Sequence, residues 1–305
     1  MRAAAILGLG CSPKSLKPFQ TDRSVEWRLG LPASADDAEV ILLFGGDGTI
    51  HRHLGQLVRL GLPVLVVPAG SGNDFARALG VKSMRDSLAA WTQFAAGKRN
   101  IQRIDLGIIT ALDGNSPDRD RSGHSPGTSR YFCCVAGVGL DSEVARQANR
   151  LPRWLRGHGG YALTLIPTIF RFAPLPVKIS VLQQNLISES FPALQASKFQ
   201  PTILAAFANA PIYGGGMRIA PEAKMDDGLL DICVVGGVDP FKLFCMFPTV
   251  YYGRHLGIRE VNYFHATSVR VETEWPVDVY ADGEFVCQTP VEVAMQRAAL
   301  QVITP

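Results

Sequence analysis

Residues 39–49 read EVILLFGGDGT, and residues 62–74 read LPVLVVPAGSGND. Each segment is a short apolar run, typical of a buried strand, that ends in a glycine-rich turn. Helical patterns follow, at 54–60 after the first turn and at 75–79 and 84–96 after the second. Strands that alternate with helices predict βαβ units and a mostly parallel sheet. The first hundred residues are therefore expected to form a Rossmann-like three-layer α/β domain.

The pattern changes after Gly97 to strands separated by turns. Strand character recurs at 100–110, 131–138, 177–184, 202–208, 229–235, 268–272 and 277–280. One long helical stretch, 141–172, interrupts these strands. Many short strands joined by turns predict an antiparallel β-sandwich. We therefore expect an α/β domain at 1–100 and a β-sandwich domain at 101–290, with residues 291–305 as a candidate completion of the first domain.

The chain has 305 residues, of which 47% are apolar and 19% charged, and a formal net charge of +3. This composition is that of a folded chain rather than a disordered one. So small a charge, without a long Lys/Arg run, argues against nucleic acid as a partner. The most apolar stretches, 157–170 and 243–253, are shorter than the about 20 residues that a transmembrane helix needs. Residues 112–130 and 185–200 are expected to be long irregular connections.

The N-terminus, MRAAAILGLGCSPKS, has the outline of a short signal peptide. It carries only one basic residue before a short apolar run, so we interpret 3–9 as the first β-strand. The six cysteines show no CxxC and no metal-ligand spacing, and they lie in apolar runs. This usage fits a reducing compartment, and the sequence therefore predicts a cytoplasmic protein.

Both glycine-rich turns, 45–49 and 70–74, follow the carboxyl ends of strands. Ligands bind outside these ends in an open α/β sheet, so both turns can face one crevice. Glycine lets the backbone approach a phosphate and direct N–H groups toward its oxygens. Neither turn matches a Walker A loop or GxGxxG. Either turn alone could be an ordinary turn without a ligand, since Gly, Asn and Asp are common in turns. Two such turns in succession, each with an acidic residue, favour a phosphate site.

Five segments resemble, in order along the chain, the diacylglycerol kinase catalytic family, and most closely its soluble bacterial lipid kinases. They are FGGDGTI at 44–50, PAGSGNDFARALG at 68–80, AGVGLDSEV at 136–144, YGGGMRIAPEAKMDDGLLDI at 213–232 and ADGEF at 281–285. NAD kinases and phosphofructokinases share GGDGT, whereas the ordered set with GSGNDFARALG and APEAKMDDGLLD is specific to the lipid kinases. The resemblance covers the chain from about residue 39 to its end.

The resemblance implies ATP-dependent phosphorylation of a lipid hydroxyl, with ATP bound between the domains and the lipid drawn from the inner membrane face. The residues expected to line the ATP phosphates in the first turn are Gly45, Gly46, Asp47, Gly48, Thr49, Ile50 and His51. The second turn would contribute Gly70, Ser71, Gly72, Asn73 and Asp74. Asp47, Asp74 and Asp105 are the candidate ligands of a catalytic Mg²⁺, which prefers carboxylates.

Glu284 corresponds to the proton acceptor of the family, and Asp282 on the same turn is the alternative. A carboxylate within hydrogen-bond reach of the lipid hydroxyl can take its proton as the O–P bond forms. Asp47 is the third candidate catalytic carboxylate. Without the other motifs, 281–284 would be interpreted as an ordinary hairpin turn.

The segment 224–229 corresponds to a second, structural site for Mg²⁺ or Ca²⁺ in the family. The matching ligands are the Asp227 carboxylate and the main-chain carbonyls of Lys224 and Leu229, completed by water. Hard cations accept this all-oxygen mixture. A solvated Asp-Asp-Gly turn is the alternative from the residues alone.

A cluster of arginines follows the AGVGLDSEV segment. Arg146, Arg150 and Arg153 have i, i+4, i+7 spacing, which places them on one helical face if the helix runs through Pro152, and Arg156 follows. A basic face suits an anionic bilayer surface and predicts peripheral membrane contact. A solvated helix face is the alternative.

The sequence departs from the family near the phosphates and at the N-terminus. His51-Arg52 stands where members carry Asn-Glu, and GLGCSPKS stands in place of an NPxSG-like turn. GGDGT begins as early as residue 45, so the segment that would contact adenine and ribose is short.

Two other functions are weighed against a lipid kinase. An NAD kinase would end its second turn in Gly-Phe-Leu, whereas this chain has GSGNDFARALG. A lipid or nucleotide sensor would keep the fold without turnover. For any of the three, exposed strand edges in a sandwich are compatible with a homodimer.

Overall fold

The computed structural model describes residues 1–112, 129–151, 161–183 and 198–305. The strands of the first half are β1 (Arg2–Leu7), β2 (Glu26–Leu29), β3 (Val40–Gly45) and β4 (Val64–Pro68). Its helices are α1 (Pro13–Leu16), α2 (Asp47–Leu60), α3 (Asp74–Ala78) and α4 (Met84–Ala95). The four strands pair in parallel in the order β2-β1-β3-β4, which confirms the Rossmann-like α/β prediction.

The central strand β3 is buried along its whole length. Ile41 and Leu43 pack in the core that contains Leu54 of α2. Leu42 packs in a separate core with Trp91 of α4 and other side chains on the opposite face of the sheet. Because helices cover both faces, the strand is an uninterrupted apolar run instead of an alternating one.

The second half adds eleven strands and three helices among the described residues. The strands are β5 (Ile101–Ala111), β6 (Ser129–Phe132), β7 (Val135–Gly139), β8 (Leu175–Gln183), β9 (Gln200–Ala208), β10 (Leu230–Gly236), β11 (Val261–Ala266), β12 (Ser268–Thr273), β13 (Asp278–Ala281), β14 (Glu284–Gln288) and β15 (Val291–Ile303). The helices are α5 (Leu140–Arg150), α6 (Tyr161–Arg171) and α7 (Pro240–Tyr251).

Strands β5 to β14 pair with one another antiparallel, and β9 joins three neighbours, β7, β8 and β10. Successive side chains of β9 alternate between two cores, as the period of a strand requires. Ala205 and Phe207 face the interior of the sandwich with Val269 and other side chains. Leu204 and Ala206 face the second core, which includes residues of α5, α6 and α7. The antiparallel sandwich is therefore confirmed, with helices covering one outer face.

The last strand, β15, belongs to both halves of the molecule. Its first part pairs antiparallel with β5 and β12. Its register shifts between Gln296 and Leu300, and Val302 then pairs in parallel with Val64 of β4. The Asn100 side chain donates to the Thr304 carbonyl oxygen over 2.9 Å. The end of the chain thus adds a strand to the first sheet.

Two helical segments differ from the sequence interpretation. Helix α7 was not predicted, because its residues are apolar on every side and include Pro248. The helix begins at Pro240 after Asp239, whose Oδ1 accepts the Phe241 N–H over 2.9 Å, a favourable N-terminal cap. The predicted stretch 141–172 forms α5 and α6 instead of one described helix.

The predicted basic helix face is only partly described. α5 ends at Arg150, since Leu151 is extended, as residues before proline tend to be. Arg146 is paired with Glu143 through Nε and Nη2 at 2.8 and 2.7 Å. Arg153 and Arg156 lie outside the described residues, as do most of the predicted connections 112–130 and 185–200. No helix in the described ranges combines the length and hydropathy of a membrane span.

Candidate active site

The two glycine-rich turns lie in direct contact. A Cβ atom on Gly70 would lie only 2.5 Å from Cα of Gly46. Asn73 closes the second turn, because its Oδ1 accepts the Gly70 N–H at 2.8 Å and its Nδ2 donates to the Gly70 carbonyl oxygen at 2.6 Å. Only a residue without a side chain permits this close approach at Gly46 and Gly70. The turns therefore form one continuous main-chain surface at the ends of β3 and β4.

Asp47, the first residue of α2, connects the two turns. Its Oδ2 accepts the Asp74 N–H and its Oδ1 accepts the Phe75 N–H, each at 3.1 Å. Burial raises the pKa of Asp47 to about 6, with a further contribution from the negative charge of Asp74, and the two N–H groups oppose this change. A cation bound between two neighbouring carboxyl groups would stabilise the ionised form of both, so Asp47 and Asp74 are candidates to hold one.

Asp74 connects the second turn to the sandwich domain. Its Oδ2 accepts the Gly215 N–H at 2.7 Å, and its Oδ1 lies 3.2 Å from Nη1 of Arg77. The side chain is nearly inaccessible to solvent, and burial raises its pKa despite the Gly215 and Arg77 hydrogen bonds. Asp47 and Asp74 both lie beside Gly72, where a Cβ atom would be 2.8 Å from Asp47 Oδ2 and 3.9 Å from Asp74 Oδ2. This pair of oxygen donors suits Mg²⁺.

The Asp105 carboxylate accepts hydrogen bonds from two other segments of the chain. Its Oδ2 accepts the Gly228 N–H at 2.7 Å and its Oδ1 accepts the Ala298 N–H at 2.6 Å. The carboxylate is buried and holds the 224–229 turn against β15. Its observed contacts are thus structural, and they join it to the second predicted metal segment instead of to Asp47.

Asp282 and Glu284 are two residues apart at the β13–β14 turn, but the Asp282 side chain is buried and Glu284 is exposed. The Asp282 side chain is fully buried and accepts the N–H groups of Cys133 and Cys134 at 2.9 and 2.8 Å. Burial alone would raise the pKa of Asp282, but hydrogen bonds from His51 and these N–H groups hold it below its usual value. Glu284 is exposed, and its Oε1 lies 3.1 Å from the position of a Cβ atom on Gly48. Glu284 therefore faces the first glycine-rich turn.

The remaining predicted phosphate residues differ in accessibility. Ile50 packs in the core, so only its main chain is at the turn. The Thr49 side chain fills the space beside Gly45. Ser71 is exposed, and His51 is half-buried with Nδ1 3.2 Å from Asp282 Oδ2.

Sequence reasoning missed two concave features beside these residues. A cleft of about 620 Å³ separates α2 from β6 and β14. An apolar cavity of about 70 Å³ lies under α5, α6 and α7, and it contains Asp141, whose pKa burial raises to about 6 against a hydrogen bond from Tyr213. Asp141 belongs to the AGVGLDSEV segment, but nothing local indicates that an acidic side chain at this position lines an apolar cavity.

The positively charged side chain of Arg297 lies beside the second predicted metal segment, residues 224–229. Asp227 Oδ1 accepts the Leu229 N–H at 3.0 Å. The Arg297 guanidinium lies against Gly228, with Nη2 3.5 Å from the Asp227 carbonyl oxygen. The oxygen donors of Lys224, Asp227 and Leu229 suit a hard cation in type, but the fixed positive charge of Arg297 would weaken its binding.

Comparisons with known families match both halves of the chain. Residues 19–109 match the family described as "Diacylglycerol kinase catalytic domain". Residues 134–304 match the family described as "YegS C-terminal NAD kinase beta sandwich-like domain". These ranges contain the two glycine-rich turns and the β13–β14 turn, respectively.

Individual proteins are similar over most of their length. A Mycobacterium tuberculosis protein named "Diacylglycerol kinase" is 34% identical, over 90% of this chain and 79% of that protein. The crystal structure of a diacylglycerol kinase candidate from Bacillus anthracis str. Sterne has a TM-score of 0.69 at 20% identity and covers 100% of this chain and 96% of that chain. An NAD kinase from Archaeoglobus fulgidus, solved with ATP, has a TM-score of 0.50 at 14% identity, covering 100% and 94%. At these identities the two structures support the fold alone.

Proposed function

Because this chain belongs to the diacylglycerol kinase family, we propose that it is an ATP-dependent lipid kinase that transfers the γ-phosphate to a lipid hydroxyl. One observation carries the proposal. The two glycine-rich turns lie in contact, Asp47 and Asp74 lie side by side within them, and the exposed Glu284 faces the first turn. Phosphoryl transfer needs positioned phosphates, neutralised charge and a proton acceptor. These residues supply a candidate for each.

The phosphates of ATP would lie against the main chain of the turns. Glycine at Gly46 and Gly70 leaves this surface free of side chains, and the start of α2 adds favourable dipole. When bound, Mg²⁺ would neutralise charge on the γ-phosphate, with Asp47 and Asp74 as the residues that hold it. Burial raises the pKa values of both carboxyls, so their ionised forms are unfavourable without a partner. A bound cation would stabilise the ionised forms, which supports this assignment.

Glu284 is the better candidate for the proton acceptor. It is exposed beside Gly48, where an acceptor hydroxyl could reach both it and the γ-phosphate. Asp282 already accepts N–H groups from the main chain and faces His51, so its oxygens are engaged. We assign Asp282 a positioning role, in which it holds His51 and the turn that carries Glu284.

The apolar part of the lipid has a candidate location next to this site. The Tyr213–Met217 bridge borders the apolar cavity, and Gly215, between the two bridge residues, donates to Asp74. An acyl chain entering between α5, α6 and α7 would therefore approach Asp74 from the sandwich side. Such a substrate resides in a membrane, so the protein would act at a bilayer surface.

The test is transfer of radiolabelled phosphate from ATP to a total lipid extract. We expect a labelled lipid with the wild-type protein and a rate about 10²–10⁴-fold lower with Glu284→Gln, the usual contribution of a positioned general base. Glu274→Gln is the matched control, since Glu274 is also exposed but lies after β12, outside the proposed site. Chelation of divalent cations should abolish transfer by every variant.

Three outcomes would contradict parts of the proposal. Equal rates for the wild type and Glu284→Gln would remove Glu284 as the base. Labelled NADP in place of a labelled lipid, with NAD offered in the same assay, would favour the NAD kinase alternative. ATP binding without transfer to any lipid would favour a binding protein.

A further inference from the structure

The bend between β6 and β7 brings together three side chains that can bind a metal. Adjacent residues of a strand point to opposite faces of the sheet, but Cys133 and Cys134 lie between the end of β6 and the start of β7. Their Sγ atoms and a carboxylate oxygen of Asp282 all lie within 4.8 Å of one another. Within the described ranges, this is the one group of three or more His, Cys, Asp and Glu side chains at such spacing.

The Asp282 carboxylate is crowded by possible donors. Oδ1 accepts the N–H groups of Cys134 and Val135 at 2.8 and 3.3 Å. Oδ2 accepts the Cys133 N–H at 2.9 Å and also lies 3.3 Å from Cys133 Sγ and 3.2 Å from His51 Nδ1. A carboxylate offers about four lone-pair positions, and a thiol is a weak donor. The two side-chain contacts to Oδ2 are those that a cation would replace, because a thiolate and a neutral imidazole are both metal ligands.

The chemistry of these donors selects zinc. Two sulfur atoms and one carboxylate oxygen, with an imidazole nearby, are ligands that Zn²⁺ takes, whereas Mg²⁺ prefers oxygen alone. In a tetrahedral site with bonds of about 2.0–2.3 Å, neighbouring ligand atoms lie about 3.3–3.8 Å apart. The 3.3 Å between Cys133 Sγ and Asp282 Oδ2 already has this spacing. Three protein ligands leave a fourth position for His51 or for water.

Charge and access also suit a cation. The pKa of Asp282 stays below its usual value although burial opposes this, because His51 and main-chain N–H groups stabilise its charge. Burial raises the pKa of the Cys133 thiol well above its usual value, so its thiolate is unfavourable without a cation beside it. Both thiols and the Asp282 side chain are buried, whereas His51 lines the cleft of about 620 Å³. An ion would therefore enter from that cleft, past His51.

We propose that Cys133, Cys134 and Asp282 form a site for Zn²⁺. On binding, the metal–sulfur bonds form as the S–H bonds break, and the thiol protons pass to solvent. The ion would join the β6–β7 bend to the β13–β14 turn, which carries Glu284. Its ligands are not the Asp47–Asp74 pair, and the inference does not rest on the proposed function.

The first test uses Co²⁺ as a coloured substitute for zinc, because cobalt–thiolate bonds have characteristic absorption bands. Co²⁺ is titrated into the full chain, which is kept reduced and freed of metal. We expect the thiolate bands to reach their maximum at one equivalent, to disappear when Zn²⁺ is added, and to persist in excess Mg²⁺, which prefers oxygen donors. Bound Co²⁺ without thiolate bands, or Co²⁺ that Mg²⁺ displaces, would assign the ion to carboxylates such as Asp47 and overturn the inference.

The second test removes one sulfur ligand at a time with Cys133→Ser and Cys134→Ser. The Kd for Zn²⁺, measured by competition with a chelating dye, should rise at least about 100-fold in each, since even residues that only support a metal ligand contribute about 10–100-fold. Cys233→Ser is the matched control, because Cys233 is also buried but lies in β10, outside the group. The control should keep the wild-type Kd, and Zn²⁺ should raise its Tm as in the wild type.

Circular dichroism without metal establishes which variants fold. If one cysteine variant does not fold, the other decides the test. A folded cysteine variant with the wild-type Kd for Zn²⁺, or an equal rise in Kd for Cys233→Ser, would overturn the inference.

The two proposals fail differently. If the wild type phosphorylates no lipid but binds Zn²⁺ through Cys133 and Cys134, the kinase assignment fails and the zinc site is supported. If it phosphorylates a lipid and binds no metal through sulfur, the kinase stands and the zinc site fails.

Discussion

Asp282 and His51 lie 231 positions apart in the sequence, and Oδ2 of Asp282 lies 3.2 Å from Nδ1 of His51. The contact joins α2 of the first domain to the β13–β14 turn of the second. Because Asp282 also accepts main-chain N–H groups from Cys133 and Cys134, one buried carboxylate fixes three segments of chain. The position of Glu284, two residues later, depends on this carboxylate.

Asp282→Asn should destabilise the protein although it changes only one atom. The amide retains one acceptor oxygen and turns an NH₂ group toward N–H donors, so we expect a loss of about 2–4 kcal/mol in the free energy of unfolding. Urea denaturation measures it. His51→Gln removes one partner only and should cost less. Equal stability of Asp282→Asn and the wild type would show that the contacts to Asp282 are not structural.

Asp141 should make stability depend on pH. Burial raises its pKa from 3.8 to about 6, so between these values the native state binds more protons than the unfolded state. The free energy of unfolding should therefore fall as pH rises through this interval, by up to about 3 kcal/mol from this residue. Asp141→Asn should remove that part of the slope and be more stable than the wild type near neutral pH. Parallel curves for the two proteins, measured by urea denaturation, would contradict the prediction.

Gly70→Ala and Gly55→Ala should change stability in opposite directions. A Cβ at Gly70 would lie 2.5 Å from Gly46 Cα, whereas at Gly55, within α2, the nearest contact would be Tyr131 Cδ2 at 3.9 Å. We expect Gly70→Ala to separate the turns, lower Tm and raise KM for ATP. Gly55→Ala should stabilise by up to about 1 kcal/mol through helix propensity. A Gly70→Ala protein with wild-type Tm and KM would show that the turns tolerate separation.

Arg297→Ala tests the second cation site. The guanidinium lies against Gly228 and the Asp227 carbonyl, so it opposes a metal at the 224–229 turn. We expect Ca²⁺ or Mg²⁺ to raise Tm more in Arg297→Ala than in the wild type, measured with the nucleotide absent. Asp227→Asn in the Arg297→Ala background should cancel the gain. An equal metal-induced shift with and without Arg297 would show that the guanidinium does not compete.

Local patterns were sufficient for much of the fold. The apolar runs of β3 and β4 and the glycine-rich turns after them lie within short stretches, so their periodicity and composition indicate them directly. The antiparallel second half followed from its frequent turns. Helix α7 was missed because a helix that is apolar all round has no amphipathic period, and Pro248 argued against a helix there.

The site required contacts that no local pattern contains. His51 departs from the family motif, and its partner Asp282 is distant in sequence. Asp105, a predicted Mg²⁺ ligand beside Asp47 and Asp74, accepts the N–H groups of Gly228 and Ala298. Ile50 follows GGDGT but turns its side chain into the core. In each case the packing of the folded chain, and not the residue type, decides what the side chain contacts.

The pairing of Val302 with Val64 has a consequence for biosynthesis. A ribosome makes β1 to β4 well before β15, the strand that joins β4 and β5. During translation the parallel sheet therefore keeps an open edge at β4 while the residues between are made. The α/β domain can complete its sheet only when residues 291–303 leave the exit tunnel, so the two domains should acquire protease resistance together.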